Sequence, residues 1–108
     1  MNDSSHVCRA EGQLIGDAAR RLKDELKEIL SGGQDVLLDL AGVTFTDSEG
    51  LGALVSVFRS AGIEGRRFVL CAPRSNFTAL LKLTRLQRVF DVYPDVDSAR
   101  QALGEGVC

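Results

Sequence analysis

Ser48 is the residue in this chain best placed to carry chemistry, and it stands between two carboxylates, Asp47 and Glu49. Behind it the apolar run Val36-Leu37-Leu38-Asp39-Leu40 reads as a buried strand, and ahead of it Leu51 to Phe58 is apolar at helical spacing. The hydroxyl therefore falls at a strand-to-helix corner, beside the free amides of a first helical turn. Such a place suits a cap, an anion site or a regulated phosphate. Ser and Asp are both favoured N-caps, so Asp47 or Ser48 can simply cap the helix. Glu49 then suits the positive end of the helix dipole.

Other chemistries fare worse. A GxxxxGK[ST] or GxGxxG run after a strand is absent, and Gly50-Leu51-Gly52 has the wrong spacing to cradle a pyrophosphate. GxSxG is absent too, so Ser48 lacks the setting of a nucleophile elbow. His6 is the lone histidine and lies in an amino-terminal stretch expected to be mobile, which argues against a Ser-His-Asp triad. Asp39 and Asp47 could pair, but carboxylates at strand ends more often cap backbone amides. Cys8, Cys71 and Cys108 are far apart and lack metal-ligand spacing. They read as two small buried residues and one terminal thiol, with a thiol switch as the alternative. The residues thus suggest no catalytic group, no metal and no cofactor.

The elements that must position Ser48 follow from patterning. Residues His6 to Gln13 alternate weakly and read as a short edge strand. Gly16-Asp17 starts a helix whose apolar face is Ala18, Ala19, Leu22, Leu26, Ile29 and Leu30, closed by Ser31-Gly32-Gly33. Val36 to Leu40, apolar without alternation, reads as a strand covered on both faces. The second helix is expected from Ser48 to about Ala61, with Leu51, Leu54, Val55 and Phe58 inward. Gly62 to Arg67 reads as a turn and Phe68 to Cys71 as the next strand. Ser75 or Asn76 is expected to cap a third helix with Phe77, Leu80 and Leu81 inward. Val89 to Tyr93 reads as the last strand, and Pro94-Asp95 opens a helix through Val96, Ala99 and Leu103. Strands alternating with helices require crossovers, which predicts an α/β fold with a mostly parallel sheet.

The chain has 108 residues and fits one domain. We expect a core at 6–103, with 1–5 and 104–108 loose. Net charge is −2 with no basic stripe, which argues against nucleic acid. There is no membrane-length apolar run, and Met1 to His6 has no signal-like apolar segment, so a cytoplasmic location is expected.

The run Asp39-Leu40-Ala41-Gly42-Val43-Thr44-Phe45-Thr46-Asp47-Ser48-Glu49-Gly50-Leu51-Gly52 resembles the signature of STAS domains, specifically the bacterial anti-sigma factor antagonists. Members carry an apolar strand ending in Asp-Leu, a short connection, and Asp-Ser-x-Gly-Leu-Gly opening a helix. The likeness continues through Glu11-Gly12-Gln13-Leu14, Phe68 to Pro73, Leu80 to Leu86 with Val89-Phe90, and Tyr93 to Leu103, about residues 6 to 103 in all.

The resemblance implies a STAS fold: a mostly parallel mixed sheet of four strands, or five, with about four helices. It implies a non-enzymatic protein that binds an anti-sigma factor and thereby frees a sigma factor. The partner in that family is a serine kinase with a histidine-kinase-like ATPase fold, and a PP2C-type phosphatase reverses its action. By position Ser48 becomes the phosphorylated residue, and Asp47, Ser48, Glu49, Gly50 and Leu51 the partner-binding corner. Two departures stand out. Glu49 replaces a frequent second hydroxyl. The family also has a strand before the one at His6, which Met1 to Ser5 is too short to supply, so the edge is missing or covered, as in a weak homodimer. A second family-based reading is a non-switching accessory subunit on the ATPase of a lipid (Mla-type) ABC transporter. There Thr followed by Gly usually occupies the positions of Ser48 and Glu49. Nucleotide binding by the domain itself is a third reading, which the missing phosphate loop disfavours.

Overall fold

A computed structural model describes residues 5–104. The expectation that 1–5 and 104–108 are loose falls largely outside that range, as does Cys108. Four strands form one sheet in the order β1 (Ser5–Leu14), β2 (Asp35–Thr46), β3 (Phe68–Cys71), β4 (Asp91–Tyr93), and every pairing is parallel. The crossovers are α1 (Gly16–Ser31), α2 (Ser48–Glu64) and α3 (Ser75–Leu83), and α4 (Val96–Ala102) follows β4. The α/β expectation and its element order therefore hold.

The dense apolar run in β2 has the predicted cause. Val36, Leu38 and Leu40 join a large core with Leu26 and Leu30 of α1 and Leu51, Leu54 and Val57 of α2. Leu37 faces the other way, into a small cluster with Val69, Cys71 and Ala99 of α4. A strand covered on both faces has no wet side to alternate with. In α2 the inward stripe is Leu51, Leu54, Val57 and Ala61, with Val55 and Phe58 half-buried beside it.

Three boundaries differ from the sequence reading. First, β2 continues beyond Leu40 to Thr46. β3 pairs with it only from Val36 to Asp39, so the extension is laddered to β1 alone. β2 absorbs an extra residue at two places, opposite Arg9–Glu11 and Gly12–Gln13. Those bulges break the alternation that would mark a strand. The half-buried Asp39 finds its partner nearby, accepting from the Ala41 amide at 3.0 Å.

Second, α2 runs past Ala61 to Glu64 and ends at Gly65, whose φ of 69° is the left-handed conformation glycine adopts readily. Gly62 lies inside the helix rather than in a turn. Third, Val89 and Phe90 are not strand. Their amides both donate to the Leu86 carbonyl, closing a 3₁₀ turn at Leu86–Arg88, so they are unavailable to the ladder. The Phe90 ring instead packs edge-on against Phe58 and Phe68, with centroids 5.6 and 6.2 Å away.

Candidate functional site

The corner after β2 is built from the strand ends upward. Leu14 and Thr46, the last residues of β1 and β2, sit opposite each other in the ladder. The buried Thr46 hydroxyl donates to the Leu14 carbonyl at 2.9 Å, which joins the two ends. Helix α2 then starts directly on top of them. It comes so close that a Cβ at Gly50 would collide with the Leu14 carbonyl oxygen and the Thr46 hydroxyl. Gly50 is thus required for close approach, not for an unusual φ.

Asp47, not Ser48, caps the helix. Its backbone is extended, its carboxylate accepts from the Gly50 amide at 3.0 Å, and its carbonyl accepts from Leu51 at 3.0 Å. Ser48 is the first helical residue, and it is exposed. Among the described residues its hydroxyl has no hydrogen-bond partner. The corner therefore divides in two. Ser48 and Glu49 face solvent with Asp47 half-buried behind them, whereas Gly50 and Leu51 are buried and shape the turn.

The tertiary fold adds one neighbour that sequence spacing could not reveal. Arg20 of α1 reaches Glu49 at 3.9 Å while donating to Asp17 at 3.2 Å. All three side chains are largely exposed, so these pairs contribute little stability. Their consequence is local, because a cation stands near the acid that follows Ser48.

The other flank is α3. Ser75 and Asn76 do not cap this helix; Arg74 precedes it without a side-chain cap. Asn76 donates instead to the Thr44 carbonyl at 2.9 Å, and Arg74 to the Ala41 carbonyl at 2.8 Å. Both carbonyls belong to the β2 extension, where β3 no longer runs alongside. Side chains thus satisfy backbone acceptors that a neighbouring strand would otherwise meet.

Cys8 and Cys71 are buried free thiols. Burial raises the Cys71 pKa to about 11, helped by the negative charges of Asp39 and Asp95. Burial likewise raises that of Cys8, with Glu25 adding to it. Protonated thiols of this kind are poor nucleophiles. Among the described residues no three His, Cys, Asp or Glu side chains gather as a metal site, and no helix is long and apolar enough to cross a membrane.

The model of the STAS domain family matches residues 2–99. The chain belongs to the STAS domain family. This STAS domain is 32% identical over 73 residues to a proposed anti-sigma factor antagonist of Thermotoga neapolitana, a match covering 67% of this chain and 65% of that protein. The chain thus spans slightly less than two thirds of that relative. The crystal structure of a proposed anti-sigma factor antagonist of Thermotoga maritima superposes with a TM-score of 0.87 at 25% identity, covering 95% of this STAS domain and 90% of that chain. An anti-sigma factor antagonist of Mycobacterium paratuberculosis gives a TM-score of 0.82 at 26% identity, over 95% and 88% of the two chains.

Proposed function

We propose that this STAS domain is an anti-sigma factor antagonist whose docking is switched at Ser48. The observation that carries the reading is the division of labour at the corner. Asp47 alone supplies the cap, which leaves an exposed hydroxyl with no structural task in the motif that resembles the family's switch. The relatives matched at 25–32% identity are described as antagonists, proposed or plain, which favours this reading over a transporter subunit.

In this scheme the unmodified corner docks on an anti-sigma factor that is itself a serine kinase, releasing a sigma factor. Ser48 and Glu49 make the contact, Asp47 orients them, and buried Gly50 and Leu51 fix the turn. Phosphorylation adds about −1.5 to −2 charges beside two acids. The first-turn amides can accommodate that charge, so the fold need not move. A partner packed there meets desolvated like charge costing several kcal/mol, or roughly a hundredfold or more in affinity. A PP2C-type phosphatase restores binding. The domain itself is not an enzyme, works in the cytoplasm, and uses residues 6–103 as its single core. The outer edge of β1 is where a weak homodimer would form, and light scattering at working concentration checks it.

The test is incubation with a candidate anti-sigma kinase and ATP, then mass spectrometry of the Ser48 peptide and titration of each form with the kinase. Ser48→Ala should bind constitutively and Ser48→Asp poorly. Equal affinity of phosphorylated and unmodified chain would end the proposal.

A further inference from the structure

We propose that the groove between the end of β2 and α3 docks a bulky apolar side chain presented on an acidic protein segment. The groove holds about 290 Å³ and is lined by Phe45, Thr46, Asn76, Phe77, Leu80 and Leu83. Its apolar walls are open to water: Leu83 is 81% exposed and Phe45 49%. That volume lies at the bottom of the small-ligand range and suits one or two large side chains.

Charge decides the occupant. Residues 72–90 carry Arg74, Lys82, Arg85 and Arg88 and no Asp or Glu, in a chain whose net charge is −2. Lys82 adjoins Leu83, Arg85 follows two residues later, and Arg74 stands two residues before Asn76. Arg74 precedes α3, the helix that forms one wall, Lys82 lies in its last turn, and Arg85 and Arg88 follow it. Among the described residues none of the four has a carboxylate within 4.0 Å, and Arg74 donates to the Ala41 carbonyl. An apolar slot whose helical wall has an exposed cation at each end, Arg74 and Lys82, selects an apolar anchor with acidic neighbours. The groove adjoins the Ser48 corner, since Phe45 and Thr46 of its lining lead directly into Asp47, but its test is independent of phosphorylation.

The experiment titrates the isotopically labelled full chain with a short synthetic helix bearing Leu and Phe on one face and Glu on the other. We expect saturable amide shifts at 44–46 and 76–85, weakened by salt. A matched peptide with Lys for Glu should bind at least about tenfold more weakly. Leu83→Glu, at an exposed position that the fold tolerates, should weaken the Glu peptide by a similar factor. Ile63→Glu should not, because that residue is 84% exposed at the far end of α2. Absence of saturable shifts, shifts centred elsewhere, or equal binding of the Lys peptide overturns the proposal. Saturation by laurate without binding of the Glu peptide overturns it in favour of a small amphiphile.

Discussion

Gly50→Ala should destabilise the protein although alanine is the better helix former. The new Cβ would meet two atoms at once, the Leu14 carbonyl oxygen and the Thr46 hydroxyl. Rotating Thr46 would give up its 2.9 Å bond to the Leu14 carbonyl, at about 1–3 kcal/mol, and would remove only the hydroxyl clash. The clash with the Leu14 carbonyl oxygen is with backbone, so the first turn of α2 must also lift, which weakens the Asp47 cap by about 1 kcal/mol and loosens Leu51 and Leu54. Alanine's propensity returns about 0.5–1 kcal/mol. The net loss is roughly 1–3 kcal/mol, or a fall in Tm on the order of 5–20 °C for a domain this size. Gly52→Ala is the control: it is exposed, helical, and its added Cβ meets no atom within 4 Å. That variant should gain about 0.5–1 kcal/mol. Urea unfolding with unchanged m-values compares the two. A Gly50→Ala midpoint at or above that of Gly52→Ala would refute the close approach of α2 to the strand ends.

Asp47→Ala should lose about 0.5–2 kcal/mol by urea unfolding, while Asp47→Asn, which can still accept from Gly50, should lose much less. Ser48→Asp should leave stability within about 0.5 kcal/mol by the same assay, because an exposed first-turn residue bears no packing; a large loss would mean that the position is structural. Thr46→Val should cost about 1–3 kcal/mol in thermal unfolding despite its similar shape, since the Leu14 carbonyl loses its donor. Cys71 supplies a pH dependence. Its thiol stays protonated to about pH 11 in the folded state, against an ordinary value of 9.0, so its contribution is intact below pH 9 and lost as pH rises towards 11. Cys71→Val should flatten the decline between pH 9 and 11 by an amount on the order of 1–2 kcal/mol, read from urea midpoints at both ends of that window.

Much of this protein is local in origin, and local features are legible in a sequence. The helical stripes of α1 and α2, the two-sided burial of Val36 to Leu40, the glycine closing α1 and the Asp95 cap of α4, which accepts from the Ser98 amide at 2.7 Å, all follow from residue types at short spacing. So does the placement of a serine and two acids at one strand-to-helix corner. What stayed hidden depends on partners distant in the chain. Two bulges against β1 carry β2 on to Thr46, and their register is set by a strand about 30 residues away. Phe90 leaves the last strand because its ring has Phe58 and Phe68 to pack on. Whether Asp47 or Ser48 caps α2 is a matter of backbone direction that propensity leaves even. The contact that makes Gly50 necessary involves the ends of two strands meeting one helix. Residue chemistry alone therefore marked where this corner lies, and only three-dimensional packing decided which of its side chains face solvent and which are buried.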